Sequence, residues 1–184
     1  MCGHPALYAL LLLLAGFFSP GLGSAQTYSG FDPPNDPENV EGARDLVIRK
    51  TNGDTVLAPK LPEQVGFADV KISADGRRIG WQALMPNVSY PIPLKLVIFE
   101  ADQIELVVDE GICVMAWNFR RNGAEIAYFV ETLHFSTAKD TELRDVRSGK
   151  LLATYGLKRI DGDIPQEALR KAPRWVREIP DIER

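Results

Sequence analysis

One turn occurs twice in this chain, 47 residues apart, and it constrains the fold more than any other feature. Asp75-Gly76 separates the apolar runs 68–72 and 79–84, and Asn122-Gly123 separates the runs 112–119 and 126–131. Asp-Gly and Asn-Gly between such runs are hairpin signals, because both residue types tolerate the positive φ that a tight turn demands. The flanking residues keep the same offset: Val70 with Trp117, Ile79 with Ile126, and Trp81 with Tyr128. A second hairpin follows each of the first. Ala101-Asp102-Gln103 lies between runs 94–99 and 104–108, and Arg147-Ser148-Gly149-Lys150 lies between runs 142–146 and 151–155. The unit therefore reads strand, Gly turn, strand, longer loop, strand, short turn, strand. A fixed period with four short strands in each unit means a repeat architecture.

Two whole units fit, over 67–108 and 112–155. A half unit, 45–58, precedes them and carries only the second kind of hairpin, around Asn52-Gly53. Aromatic and β-branched residues are frequent in the runs, as pleated surfaces favour. Pro86, Pro91 and Pro93 mark the loop between the middle strands of the first unit and argue against a central strand there, since proline donates no ladder hydrogen bond. Runs 94–99 and 112–117 are apolar on nearly both faces, which suits strands sandwiched between other layers. Run 68–73 alternates, with Asp69 and Lys71 on one side, and suits an edge.

The segment Lys71-Ile72-Ser73-Ala74-Asp75-Gly76-Arg77-Arg78-Ile79-Gly80-Trp81 resembles the first hairpin of TolB-like and WD-type β-propeller repeats. Residues 115–128 resemble a second copy. Leu143-Arg144-Asp145-Val146-Arg147-Ser148-Gly149-Lys150 is similar to the hairpin that closes such a blade. The resemblance covers residues 45–155. It departs from the pattern at Ala74, where the family has proline, and at Asn122, where aspartate is commoner. It implies antiparallel four-stranded blades and a binding or scaffolding role in the cell envelope. Propellers close with about four to eight blades, so some two blades form no ring. Three outcomes remain: an open stack, a ring built from several chains as a homo-oligomer, or docking on a partner that supplies the missing surface. The expected fold is all-β, with two four-stranded antiparallel propeller-type blades stacked as an open sandwich and a short C-terminal helical tail.

The ends set the compartment. Residues 6–18 are apolar, helix breakers follow, and Gly23 and Ala25 place small residues before a cut ahead of Gln26. That is the pattern of an export signal over 1–25. The rival reading is an uncleaved anchor, for which the apolar core is short of the roughly 20 residues a spanning helix needs. The expected location is periplasmic or extracellular, with no membrane span after cleavage. Residues 26–44 hold three prolines, four acidic residues and one arginine and read as a flexible leader. The tail, 156–184, is charged. Pro165 suits the first turn of a short helix over 166–172, which Pro173 limits. Leu169, Trp175, Val176 and Ile179 form an apolar stripe that either covers an open sheet or docks a protein partner; Leu169, Trp175 and Ile179 are the candidate docking residues.

Little else carries chemistry. The formal charge of −4 is mild and opposes nucleic-acid binding. Past residue 25 the chain has one cysteine, Cys113, and one histidine, His134. No internal disulfide can then form, and zinc lacks ligands. Cys113, amid Ile112, Val114 and Met115, reads as a buried small hydrophobe rather than a reactive thiol. Asp140, Glu142 and Asp145 lack calcium-loop spacing. His134 lies in a polar loop with no nucleophile elbow in the chain, so neither a catalytic residue nor a cofactor is assigned. A hydrolase-like enzyme with a site near His134, or a structural subunit of a larger complex, is the alternative to a binding module. Asn87-Val88-Ser89 matches a glycosylation sequon. Arg77, Arg78, Arg120 and Arg121 lie in equivalent turns of the two units. They would share a rim if the blades stack in register, as a partner-binding patch or as solvated turns.

Overall fold

A computed structural model describes residues 27–32, 45–132, 138–158, 163–180 and 182. Residues 1–26, where an export signal is expected, residues 33–44 and His134 lie outside the described residues.

Eleven strands form three antiparallel sheets among these residues. The first sheet has three strands: β1 (Tyr28–Asp32), β2 (Val47–Lys50) and β3 (Thr55–Leu57). The second orders β4 (Gly66–Ile72), β5 (Arg78–Met85), β6 (Ile92–Glu100) and β7 (Gln103–Asp109) as a meander. The third repeats that arrangement with β8 (Cys113–Arg120), β9 (Glu125–Glu131), β10 (Ala138–Asp145) and β11 (Leu151–Lys158). Two short helices follow, α1 (Gln166–Lys171) and α2 (Arg174–Arg177). The fold is all-β, and its sheets are not closed into a ring.

The sheets stack in series, which the apolar clusters show. Ile48 and Tyr28 of the first sheet meet Phe67, Ile79, Trp81, Ala83, Val97 and Phe99 of the second. Leu96, Ile98 and Val108, on the opposite face of the second sheet, meet Val114, Trp117, Ile126, Tyr128 and Val130 of the third. Ala116, Ala127, Phe129, Leu143 and Leu157, on the far face of the third sheet, meet Leu169, Val176 and Ile179 of the tail. Alternation along each strand sends successive side chains to opposite faces, so the two middle layers are apolar on both.

The 47-residue offset is a packing offset. Phe67, Ile79, Trp81, Ala83 and Phe99 face the preceding sheet, and Val114, Ile126, Tyr128, Val130 and Val146, one period on, do the same. Burying each of the largest of these contributes about 1.5–3 kcal/mol. Gly80 lets the middle layers approach. A Cβ there would stand 2.7 Å from Trp117 Cη2 and 2.8 Å from Ile98 Cδ1.

Three differences from the sequence reading have physical causes. Tyr28–Asp32, assigned to the flexible leader, is a strand. Its Tyr28 is buried and lies 6.1 Å from the Phe99 ring, and the Tyr28 N–H donates to Gly76 O at 2.6 Å. One deeply buried aromatic thus anchors a polar segment, and the half unit becomes a third sheet. The proline-marked loop is the second difference. β6 is a central strand that begins at Ile92 and includes Pro93, opposite Leu84 where the register shifts. The missing N–H falls at the start of the strand, at an irregularity, where proline is tolerated. The third is β10, which begins four residues earlier than run 142–146 suggests because polar Thr141 is buried, its hydroxyl donating to Tyr155 O at 2.7 Å.

Candidate functional site

The meander places the tight turns at one end of the stack and the longer loops at the other. At the turn end the sheets touch through backbone. Gly123, at φ +89°, leaves no room for a Cβ, which would meet Ser73 Cβ at 2.8 Å. The Ser73 hydroxyl donates to Asp75 Oδ1 at 2.7 Å and receives the Arg78 N–H at 3.0 Å, which shapes the first turn.

These contacts bring Arg77, Arg78, Arg120 and Arg121 onto one rim. Each is matched to carboxylate. Arg78 is largely buried and reaches Glu105 at 2.8 Å and Glu100 at 2.6 Å. Arg77 lies 3.6 Å from Glu100. Arg120 holds Glu178 at 2.9 Å and Glu125 at 3.6 Å, and Arg121 holds Glu125 at 3.2 Å. Burial and the hydrogen bond with Glu105 push the Glu100 carboxyl above the ordinary glutamate range. Burial would raise Glu105 too, but the Arg78 guanidinium and the bond from Glu100 hold it below that range. The rim is therefore a set of ion pairs tying turns to strands and to the tail, with its cations already neutralised.

The candidate docking tail is engaged with the chain's own third sheet. Leu169 and Ile179 are buried there, and Trp175 is partly buried on the same cluster. Asn118 Nδ2 donates to Glu178 O at 3.1 Å, which adds a polar tie beside the Arg120 ion pair.

The remaining candidates have structural partners. Cys113 is buried, and desolvation, then the Glu131 charge, push its thiol up, so it stays a neutral thiol. Glu142 binds the Tyr128 hydroxyl and Arg144, and Arg144 also reaches Glu110 at 2.7 Å. Burial and Glu142 keep the Tyr128 phenol protonated far above its ordinary value. Asp145 accepts the Ser148 N–H at 2.8 Å and hydroxyl at 2.6 Å, which lowers its carboxyl. Asp140 is exposed. Among the described residues, no three His, Cys, Asp or Glu side chains are placed to hold a metal ion, and no helix is long and apolar enough to cross a membrane.

A surface that the turn-centred sequence reading passed over lies at the loop end. Residues 86–91 join the two central strands β5 and β6, so a rigid sheet positions them. Pro86 and Pro91 bracket the loop, and Pro93 restricts its return. Between them Val88 is 101% exposed and Tyr90 63% exposed. Asn87 and Ser89 are exposed beside them. The signal was present in the sequence as two apolar residues framed by prolines, but only the strand assignments on both sides make it a projecting loop.

No protein-family model matches the chain, and no curated protein matches it.

Proposed function

We propose that the chain is an exported, non-enzymatic binding module of the cell envelope that presents loop 86–91 to a protein partner. The observation that carries this reading is the exposure of Val88 and Tyr90, 101% and 63%, on a proline-framed loop held by two central strands. Single exposed apolar side chains are ordinary, but two of them close together on one projecting loop make a contiguous apolar contact for a partner. Binding residues concentrate on loops set by rigid scaffolds. Tyrosine adds a large contact area at low entropic cost, with a hydroxyl to orient the partner. The resemblance to propeller repeats and the export signal read in the sequence agree with an envelope binding role.

Photo-crosslinking in the native host tests this. A photoreactive residue at position 88 or 90 is expected to give one discrete adduct, competed by unlabelled native chain and not by a Val88→Asp/Tyr90→Asp chain of unchanged circular dichroism. Equal crosslinking from position 52, an exposed turn at the opposite end, or competition by the double variant, overturns the proposal.

A further inference from the structure

A half-open hollow of about 170 Å³ lies against the helical layer, lined by Gln166, Leu169 and Arg170 on α1, Arg177 on α2, and Ile182 beyond it. Its floor is apolar, since Leu169 and Ile182 are buried to 6% and 5% exposure. Gln166, Arg170 and Arg177 supply its polar lining. Four basic residues lie on these helices. Lys171 pairs with Glu167 at 2.7 Å, and Arg174 pairs with Glu178 at 2.6 Å. The two that line the cavity, Arg170 and Arg177, have no ion-pair partner among the described residues. Of the four helix cations, the two without a carboxylate partner among the described residues are the two that line this hollow.

We propose that this cavity binds a carboxylate carried on a short branched alkyl group. Two planar guanidinium forks match the two oxygens of a carboxylate and supply charge-assisted hydrogen bonds. The floor rewards removal of an alkyl group from water, at about 0.8 kcal/mol per buried methylene, which disfavours a bare hydrated anion such as phosphate. The volume suits the size, because a cavity of about 150 Å³ accommodates benzene. Gln166 offers a donor and an acceptor to an amide next to the carboxylate. A free branched-chain acid and the C-terminal leucine of a peptide share this chemistry. The site uses none of the residues of loop 86–91, so either proposal can fail alone.

The test is titration of the ¹⁵N-labelled chain, reading the amide shifts of residues 166–177. Isovalerate and N-acetyl-leucine are expected to shift these amides saturably, whereas N-acetyl-leucinamide and inorganic phosphate are not. Tighter binding of N-acetyl-leucine than of isovalerate assigns the site to a peptide C-terminus; the reverse order assigns it to a free acid. Arg170→Gln/Arg177→Gln should weaken binding by at least about tenfold, as loss of charge-assisted hydrogen bonds predicts, and Lys171→Gln should leave it unchanged. Equal binding of the leucinamide or of phosphate, unaltered affinity in a folded double variant, or absence of shifts with both acids overturns the proposal.

Discussion

Single residues decide how closely the layers approach. Gly80 needs no unusual backbone; it needs the absence of a side chain, with Trp117 Cη2 2.7 Å and Val97 O 3.0 Å from where a Cβ would lie. Gly123 needs both, at φ +89° and with Ser73 2.8 Å away. Gly53, at φ +91°, needs only the backbone, since nothing lies within 4 Å of a Cβ there. Overpacking a dense core costs about 1–3 kcal/mol. An alanine at positive φ costs about 1 kcal/mol through strain alone. Urea unfolding should therefore rank Gly80→Ala and Gly123→Ala as more destabilising than Gly53→Ala; a larger loss at Gly53 would contradict the interlayer contact. Trp117 supports a second prediction. Its Nε1 donates to Asp69 O at 3.0 Å, and Lys71 lies 4.9 Å above its ring while donating to its carbonyl at 2.8 Å. Asp69 itself sits at φ 44°, in the β4 irregularity. Trp117→Phe keeps an aromatic ring but removes the donor, and is expected to cost about 1–3 kcal/mol in the same assay.

At the scale of elements, the tail is a layer rather than an appendage. α1 and α2 are too short to persist alone, so docking on the third sheet maintains them. Apolar contact supplies most of that docking, and Glu178 pins its end. The hydrogen bond from Arg120, weakened by some burial and reinforced by Arg174, holds the Glu178 carboxyl below its ordinary value of 4.5. A carboxylate depressed in the folded state stabilises fully above the ordinary value, and that contribution is lost as pH falls through the lowered one. Amide exchange of residues 166–177, corrected for intrinsic rates, is therefore expected to accelerate below about pH 4.5 relative to β5 and β9. In Glu178→Gln that relative pH dependence should be absent and exchange faster already at neutral pH. A wild-type tail whose relative protection is flat from pH 6 to 3, a span of about three units bracketing the ordinary value, would remove Glu178 from this role.

For the whole molecule, the stack ends on one face covered by the tail and one face that carries an ion pair. The tail covers the third sheet. On the first sheet Arg49 lies across Gly30 and pairs with Asp32, giving a charged outer face. A further blade would have to displace one or the other. Light scattering of the chain from Gln26 onward is expected to show a monomer. A discrete assembly of three or four chains would mean that the ends are opened and the ring is built between subunits. Ending the chain after Lys158 should leave Phe129, Leu143 and Leu157 in water, and the shortened protein is expected to bind a hydrophobic dye or aggregate while the full chain does not.

Sequence alone determined what local chemistry determines. Gly turns, alternating runs and the 47-residue offset placed ten of the strands within a few residues and put equivalent side chains on equivalent faces, because turn type and side-chain period are properties of short segments. It also placed the short tail helix after Pro165. Tertiary structure decided what depends on partners remote in the chain. Tyr28–Asp32 became a strand because Phe99 and Gly76 lie beside it, and Pro93 entered a central strand because its neighbour's register shifts there. Arg77 and Arg78 met carboxylates from β6 and β7, and Arg120 met Glu178 of the tail, partners that no spacing announces. The apolar stripe of the tail turned inward because an uncovered sheet face was within reach. Val88 and Tyr90 stayed outside because the strands on either side left them nothing to pack against.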